Sequence, residues 1–411
     1  MNKNAFVIKA EGIYDGTRTA MRRGMAVAVK DGVIEAIVPS SAVASFEEKG
    51  YLILDEKGKY VIPGLIDAHV HLVLPGDGTA AEDALSRPIS VTAQTVRENC
   101  AQALSHGITT LRDCGGLADV LFYVRDEIRR GEINGPNLIL SGAPLTSPKG
   151  HTWYFGGEVR TPKEAREKVQ EQIKAGADFV KLIATGGGTR GVVQSDQMLT
   201  NEEMAAASEE AEKEETYATA HVCTTVTARA AVESGVHMLE HLILADASNT
   251  LAFDELLIEQ IANKKIPVAH TMSVLKLSIA KYTTLGRALT EQEQAEYDML
   301  RRFDETIDEG FRRTCKDLVY IPATDSGWRS SSFGSLADSM IPMERLGLSI
   351  PGVLYSATGL AADVLRREDI GILSEGRRAD IAVLDADPFE DLDNLKKVSL
   401  VFKDGKEVFR A

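Results

Sequence analysis

Two histidines, His69 and His71, end an apolar run that begins directly after Pro63 and Gly64. Alternate residues of a β-strand point to the same face, so a strand here directs both imidazoles at one point. The Pro-Gly pair before the run indicates a turn into this strand. Two converging imidazoles are half of a metal site, and the rest of the chain decides whether the site is completed.

Three later apolar runs also end in residues that can ligate a metal ion, at His221, His241 and Asp325. A fourth run contains Lys181. Each run is followed by polar or glycine-containing sequence and then by a helical stretch. Functional groups at the carboxyl ends of successive strands are typical of a parallel barrel. We therefore predict eight barrel strands, at residues 64–72, 107–113, 137–141, 179–183, 217–221, 238–241, 266–270 and 318–325.

The two ends of the chain have a different pattern, in which short apolar runs are joined by Asp-Gly turns. Asp31 and Gly32 follow the run at 25–29, and Asp404 and Gly405 interrupt a second run near the C-terminus. An Asp-Gly pair between apolar runs favours a β-hairpin. Both ends are therefore rich in β-strands, and they enclose an α/β middle.

Together these patterns predict an α/β fold with two parts. A distorted (β/α)8 TIM barrel occupies residues 63–365, and a small β-sandwich domain is formed by residues 1–62 and 366–411. The predicted helices have start signals of the capping-box type, in which a threonine is followed three positions later by a glutamate. Such pairs begin at Thr161, where Pro162 adds a second start signal, and at Thr200 and Thr290.

Composition narrows the functional classes. The 411 residues are 44% hydrophobic, which is ordinary for a globular protein. Asp and Glu number 61 against 46 Lys and Arg, giving a net charge of −15, which argues against nucleic acid or an anionic membrane as partner. The sequence starts without a signal-peptide pattern, has no apolar run of ~20 residues, and its four cysteines form no Cys-x-x-Cys pair. We therefore expect a cytoplasmic protein, and we further expect a homo-oligomer that acts on a small-molecule substrate.

The candidate ligands favour divalent metal chemistry. Neutral imidazole and carboxylate suit zinc and neighbouring divalent ions, and four histidines with one aspartate can hold one or two of them. An ammonium cannot ligate, but the free amine of a buried lysine such as Lys181 can react with carbon dioxide. The resulting carbamate is an anion that can bridge two metal ions. Two metals ~3.5–4 Å apart can hold a hydroxide that attacks a carbonyl carbon.

Across nearly its whole length the chain resembles the amidohydrolase superfamily, specifically the prolidase-like and imidazolonepropionase-like branch of binuclear metal enzymes. The resemblance lies in the motifs at 63–71, 109–113, 181–188, 220–221, 240–241, 324–326 and 376–381. It implies two divalent ions, which we expect to be zinc, with carboxylated Lys181 between them. It further implies one metal on His69, His71 and Asp325, and the other on His221 and His241.

The resemblance implies hydrolysis of an amide C–N bond, with a metal-bridging hydroxide as nucleophile and Asp325 as general acid and base. The expected substrate is a dipeptide or an N-acyl amino acid. The alternative is a non-peptide C–N bond, as in a cyclic amide, carbamate or urea. A scaffold protein without activity is disfavoured by the complete ligand set, and a ring deaminase is disfavoured by the bridging lysine.

Substrate contacts are also implied by the resemblance. His151, in the loop after the third predicted strand, takes the position of a substrate-facing histidine, and Tyr154 beside it is a candidate pocket wall. Dipeptidase-like relatives tend to have a tyrosine where this chain has Cys223, and Phe333 stands where relatives often have the histidine of a His-Gly pair. We therefore expect that this chain does not recognise a substrate carboxylate in the way that dipeptidase-like relatives do.

Two arginines, Arg190 and Arg329, are candidates for a carboxylate clamp in place of the missing tyrosine. His270 ends the seventh predicted strand, where it either lines the pocket or packs in the core. His237 competes with His241 as a ligand, because the two have the i, i+4 spacing of one helix face.

Overall fold

The computed structural model of the protein describes residues 4–411. Its strands are, in chain order, β1 (Ala5–Ile13), β2 (Arg22–Arg23), β3 (Met25–Lys30), β4 (Val33–Pro39), β5 (Leu52–Pro63), β6 (Leu65–Val70), β7 (Ile108–Asp113), β8 (Asn137–Leu140), β9 (Val180–Ile183), β10 (Ala218–Val222), β11 (Met238–His241), β12 (Val268–His270), β13 (Tyr320–Pro322), β14 (Ile381–Leu384), β15 (Val398–Lys403) and β16 (Lys406–Arg410). Within this part of the chain, no helix has the length and apolar character that crossing a bilayer requires.

The α-helices lie mainly between the central strands. They are α1 (Val43–Glu48), α2 (Ala81–Leu85), α3 (Ile89–Ser105), α4 (Ala118–Arg129), α5 (Pro162–Ala175), α6 (Asn201–Lys213), α7 (Thr225–Glu233), α8 (Glu255–Lys264), α9 (Ser273–Thr283), α10 (Glu291–Thr314), α11 (Leu336–Arg345), α12 (Ile350–Ser356) and α13 (Gly359–Val364). Two of them, α9 and α10, follow each other between β12 and β13 and form a helical hairpin.

The two ends of the chain build one eight-stranded sheet in the order β16-β15-β14-β5-β1-β3-β4, with β2 beside β1. Both predicted hairpins are confirmed. Asp31 and Gly32 have φ of 49° and 86°, and Asp404 and Gly405 have φ of 52° and 68°. Two successive positive φ values are what a two-residue turn between twisted strands requires, and Asp-Gly supplies them at low steric cost.

This terminal sheet curls around its own apolar face. The rings of Phe6 on β1 and Phe402 on β15 stack with centroids 4.7 Å apart, although β5 and β14 lie between these strands in the sheet. In a flat sheet, three strand spacings would separate them by roughly 14 Å. Ile8, Val383 and Leu400 belong to the same buried cluster.

The central strands β6 to β13 are all parallel, in sheets of the order β6-β7-β8 and β13-β12-β11-β10-β9. Parallel bridges link the two sheets on both sides, between Leu145 and Leu182 and between Val70 and Ser326. Seven of the eight predicted strands contain one of these observed strands, and β10 extends one residue beyond the remaining one, so the positions of the strands are confirmed. Because parallel strands all point the same way, their carboxyl ends meet on one side of the fold.

The helix start signals are confirmed with one difference. Thr200 and Thr290 form complete capping boxes with Glu203 and Glu293. Thr161 accepts a hydrogen bond from the backbone N–H of Glu164, as predicted. The carboxylate of Glu164, however, accepts from the backbone N–H of Arg160 at 2.9 Å, so the box is shifted by one residue at this helix.

Candidate metal centre

The six candidate ligands lie on the wall of one cavity of about 250 Å³ at the carboxyl ends of the parallel strands. They are His69 and His71 at the end of β6, Lys181 in β9, His221 in β10, His241 at the end of β11, and Asp325 after β13. The structure therefore brings together side chains that are separated by up to 256 positions along the chain, counted from 69 to 325.

Three of these side chains have ligand atoms within 4.8 Å of one another: His69, His71 and Asp325. Oδ1 of Asp325 lies 3.3 Å from Nε2 of His71 and 3.6 Å from Nε2 of His69. This oxygen is buried and has no hydrogen bond of good geometry to any described residue. A buried carboxylate oxygen without a partner is costly, and a cation between the three groups would satisfy it.

Each of the two histidines of β6 is oriented through Nδ1. His69 donates to Oε2 of Glu240 at 2.7 Å, and His71 donates to the carbonyl oxygen of Gly115 at 2.7 Å. In these tautomers the lone pair is on Nε2, the atom that faces Asp325. Hydrogen bonds of this kind fix the ring and raise the basicity of a metal-ligating imidazole.

His221 and His241 form a second pair with ring centroids 4.6 Å apart, and His241 is 4.8 Å from the His69 ring. Nδ1 of His241 lies 2.6 Å from the hydroxyl of Thr271, so a tautomer that donates this bond has its lone pair on Nε2. Nε2 of His221 lies 3.1 Å from the carbonyl oxygen of Gly186, so a tautomer that donates this bond has its lone pair on Nδ1.

Burial sets the protonation of these rings. It lowers the pKa of His69, His221 and His241 well below its ordinary value, and the nearby cationic groups lower it further. Burial also lowers the pKa of His71, but contact with the Asp325 carboxylate outweighs it and raises the pKa overall. Neutral imidazoles next to a carboxylate are a donor set for divalent metals. Lys181 lies among them with 1% of its surface exposed.

A different buried group, formed by His69, Cys114 and Glu240, also has the spacing of a metal site. Both carboxylate oxygens of Glu240 are already used, because Oε2 accepts from His69 while Oε1 accepts from Arg112 at 2.8 Å and from Thr219. Burial raises the pKa of the Cys114 thiol, which opposes the thiolate form. These contacts make the group a hydrogen-bond network behind the candidate ligands.

His151 also lines the cavity. Its Nδ1 lies 2.8 Å from the hydroxyl of Thr189, and its ring is 5.0 Å from the His221 ring and 5.4 Å from Trp328. Burial lowers its pKa well below the ordinary value, so the ring is neutral. The backbone at Gly187 passes so close that a Cβ there would lie 2.5 Å from Nε2 of His151. Close packing is thus one reason for a glycine at this position.

The family model for the amidohydrolase family matches residues 60–408. The chain belongs to the amidohydrolase family. An ochratoxinase from Aspergillus niger is 27% identical, over 93% of this chain and 82% of the relative. An imidazolonepropionase from Mycolicibacterium smegmatis is 25% identical, over 89% of this chain and 85% of the relative. A crystal structure of a Xaa-Pro dipeptidase with bound methionine, 21% identical, has the same fold with a TM-score of 0.83, covering 99% of this chain and 100% of that one.

Two of the predicted substrate contacts of this amidohydrolase lie on the cavity wall. Cys223 is buried with Sγ 3.2 Å from Nε2 of His221, and burial raises its pKa to about 12. Arg329 also lines the cavity; its side chain is 37% exposed and lies 4.0 Å from Glu296. The amidohydrolase therefore has a thiol next to its candidate ligands and a guanidinium that is partly open to solvent.

Three other predicted contacts lie outside the cavity lining. The exposed guanidinium of Arg190 forms a double hydrogen bond with Asp83, at 3.0 and 2.6 Å. Tyr154 accepts a 3.4 Å hydrogen bond from Thr189, the residue that contacts His151, so it stands behind that ring. His270 is packed in the core, stacked on Phe311 with centroids 5.0 Å apart, and its Nδ1 donates to the carbonyl oxygen of His241.

The interpretation of His237 and His241 as neighbours on one helix face is wrong. His241 ends strand β11, and His237 immediately precedes that strand, with its ring 4.9 Å from Tyr217. In a parallel strand the carboxyl end carries the functional groups, and His237 lies at the other end. His237 is consequently far along the strand from the cavity that His241 lines.

Sequence reasoning missed two parts of the amidohydrolase site. One is Trp328, which lines the cavity between His71 and His151 with ring centroids 5.9 and 5.4 Å away. The other is the helical hairpin of α9 and α10, which supplies most of the apolar cavity wall. The signal for the hairpin was present in α10, where apolar residues recur at helical spacing in an otherwise charged segment.

Proposed function

We propose that this amidohydrolase is a binuclear metal-dependent enzyme that hydrolyses the amide C–N bond of a dipeptide or an N-acyl amino acid. The observation that carries the proposal is the convergence of four imidazoles, Lys181 and an unpartnered carboxylate oxygen of Asp325 in one cavity. Metal sites of this donor type favour zinc and neighbouring divalent ions.

The proposed ligand assignment follows the two groups of histidines. His69, His71 and Asp325 would hold one ion and His221 and His241 the other, and a carbamate on Lys181 would supply an anionic ligand to both. Divalent ions bound there polarise a substrate carbonyl and lower the pKa of water to about 7. The hydrogen bonds from Nδ1 of His69 and His71 orient these two rings before any ion arrives.

Three side chains of the protein have separate roles in the proposed reaction. Asp325 accepts the proton of the attacking water and delivers it to the leaving nitrogen, a role supported by the position of its carboxylate on the cavity wall. His151 contacts the substrate carbonyl, since its ring lies on the cavity wall and is anchored through Nδ1 by Thr189. Apart from Lys181, Arg329 is the cationic side chain among the described residues of the lining, and we propose it as the contact for a substrate carboxylate.

A second candidate substrate is a non-peptide C–N bond, as in a cyclic amide, carbamate or urea. The observation that favours it is the state of the predicted carboxylate clamp, because Arg190 is bound to Asp83 outside the cavity lining. A cavity whose one arginine is partly exposed does not require its substrate to carry a carboxylate.

We further propose an architecture that positions this chemistry. The eight parallel strands close into a distorted (β/α)8 barrel at residues 63–365, supported by bridges at both junctions between the two sheets. Residues 1–62 and 366–411 form a β-sandwich, supported by the stacking of Phe6 on Phe402. The cytoplasmic location and the homo-oligomeric state stay predictions.

The test is turnover by metal-reconstituted protein against a divided substrate set. One half holds dipeptides and N-acyl amino acids, and the other holds lactams, carbamates and ureas without a carboxylate. The proposal expects two ions per chain by elemental analysis and turnover in the first half, both lost in His241→Ala but kept in the matched control His106→Gln, which lies outside the cavity. Turnover confined to the second half selects the second candidate, and turnover that survives complete metal removal overturns both.

A further inference from the structure

Beside the candidate ligands, the cavity has a second wall that is almost entirely apolar. Val274 and Leu275 of α9 and Leu300, Phe303 and Ile307 of α10 line it, and all five are buried. They belong to one apolar cluster that also contains the loop residues following β10 and β11. The cavity is therefore polar where the ligands converge and apolar where the hairpin covers it.

The sequence of α10 directs this surface inward. Leu300, Phe303 and Ile307 have the spacing i, i+3, i+7, which places them on one face of the helix. The opposite face is charged, with Arg301 and Glu305 exposed and paired with each other at 3.0 Å. A helix of this composition gains stability by burying its apolar stripe, and here part of that stripe faces a cavity instead of a packed core.

The hairpin is held in place by a partly buried ion-pair cluster. Nζ of Lys276 on α9 lies 2.8 and 3.0 Å from the carboxylate oxygens of Asp304, and 2.9 and 3.0 Å from those of Asp308, both on α10. One ammonium between two carboxylates fixes the two helices relative to each other. The apolar wall is thus preformed, which reduces the ordering cost of binding a ligand against it.

The apolar wall favours uncharged substrate groups over charged ones. A charged substituent placed against Leu300, Phe303 and Ile307 would lose its hydration without gaining a partner, which is costly. Arg329, the cation that could meet an anionic group, is partly exposed and lies near Glu296. An uncharged apolar substituent instead gains from leaving water, at about 25 cal/mol per Å² of apolar surface buried.

We infer that α9 and α10 form an apolar subsite that selects amide substrates carrying a bulky, uncharged aryl or branched alkyl group beside the scissile bond. The inference rests on the proposed function, whose substrate class it narrows. Phe303, in the middle of the apolar stripe of α10, is the main specificity-determining residue of this subsite.

The test compares two series of substrates, and in each series a neutral aryl compound is matched by its carboxylated analogue. One series is N-acetyl-, N-benzoyl- and N-(4-carboxybenzoyl)-glycine, and the other is the N-acetyl derivatives of alanine, phenylalanine and 4-carboxyphenylalanine, so that either side of the amide can carry the bulky group. In the series that is turned over, kcat/KM is expected to be at least about ten-fold higher for the neutral aryl compound than for its carboxylated analogue. Equal or reversed values overturn the inference.

Two variants separate the subsite from general effects on the helix. Phe303→Ala is expected to lower the ratio of kcat/KM for the aryl over the acetyl or alanine compound by at least about ten-fold. The control is Phe311→Ala, on the same helix and also buried but outside the cavity lining. It removes the same side chain and is expected to keep the ratio while lowering the melting temperature. An unchanged ratio in Phe303→Ala overturns the inference.

A binding measurement separates failure of the inference from failure of the proposed function. A neutral naphthalene dye is titrated into the metal-loaded protein and into both variants, with fluorescence as readout. Binding that weakens at least about ten-fold in Phe303→Ala alone supports the subsite even if no amide is hydrolysed, in which case the proposed function fails by itself. Equal dye affinity in all three proteins overturns the subsite, whatever the turnover.

Discussion

Glu240 of β11 contacts the first candidate ligand, on β6: its carboxylate accepts a 2.7 Å hydrogen bond from Nδ1 of His69. The second oxygen of Glu240 accepts from Arg112, whose guanidinium is fully buried and stacks over Phe179 at 4.3 Å. Burial alone would raise the pKa of Glu240, but the charge of Arg112 holds it below its ordinary value. The carboxylate is therefore ionised, and it fixes the ring of His69.

The first prediction follows from this contact. In Glu240→Gln the amide is a weaker acceptor and also leaves Arg112 as an unbalanced buried charge. We expect the affinity for the metal at His69 to fall about 10- to 100-fold. Competition with a chelator of known affinity measures this fall. Glu233→Gln, on the exposed surface of α7, is the matched control, and equal affinity in the two variants would contradict the role of Glu240.

The second prediction concerns the bridging ligand. Lys181→Ala removes the amine that the proposed carbamate requires, so we expect the metal content of the protein to fall from two ions per chain towards one or none. Short carboxylic acids can occupy the same space and are expected to restore part of the lost occupancy. Elemental analysis after gel filtration measures both effects. The exposed Lys174→Ala serves as control, and full activity in Lys181→Ala would refute the bridge.

The third prediction separates proton transfer from metal binding at Asp325. Asn keeps the shape of the side chain and an oxygen that can ligate, but it cannot accept a proton. We expect Asp325→Asn to keep much of its metal while kcat falls about 100-fold or more. Metal content and kcat are measured on the same sample, with the exposed Asp317→Asn beside it. Activity close to that of the unchanged protein would exclude Asp325 as general acid and base.

The fourth prediction is a pH dependence of stability away from the metal centre. Burial lowers the pKa of His237 below its ordinary value, and the positive charge of Arg366 adds to this. Below about pH 6.5 the unfolded chain takes up a proton at this position that the folded protein does not. His237 therefore reduces the free energy of unfolding as the pH falls, by at most about 1.4 kcal/mol per pH unit.

Urea unfolding of the parent and of His237→Gln at pH 7.5 and pH 5.5 tests this sign. The variant is expected to lose less stability between the two pH values than the parent loses. His106→Gln, directly after α3, serves as the control for the loss of a histidine. If His237→Gln lost as much as the parent, His237 would be charged in the folded protein.

That the candidate ligands meet in one cavity could be predicted from sequence because the signal is local. A strand that ends in His69 and His71 must place both rings on one face, and equivalent strand ends meet in any parallel arrangement. The Asp-Gly turns at Gly32 and Gly405 are local in the same sense, since a positive φ depends on the residues of the turn itself.

What the sequence left open depends on partners that are distant along the chain. Nothing near Glu240 indicates that it contacts His69, which lies 171 positions earlier. In the sequence, Arg190 is a candidate for binding a substrate carboxylate, but in the fold Asp83 lies beside it and binds its guanidinium. The apolar stripe of α10 was visible, but its position over the cavity follows from how β12 and β13 are connected, which no local pattern encodes.

Separate parts of the chain contribute the candidate ligands and the apolar wall of the cavity. The candidate ligands lie on strand ends spread from β6 to β13, whereas the apolar wall comes from one continuous segment between β12 and β13, whose two helices are joined by the ion pairs of Lys276. Substitutions within that segment can reshape what the enzyme accepts without moving a single ligand. Natural variation or a mutant library confined to these two helices can therefore change which substrates are accepted. The residues of the candidate metal centre stay the same.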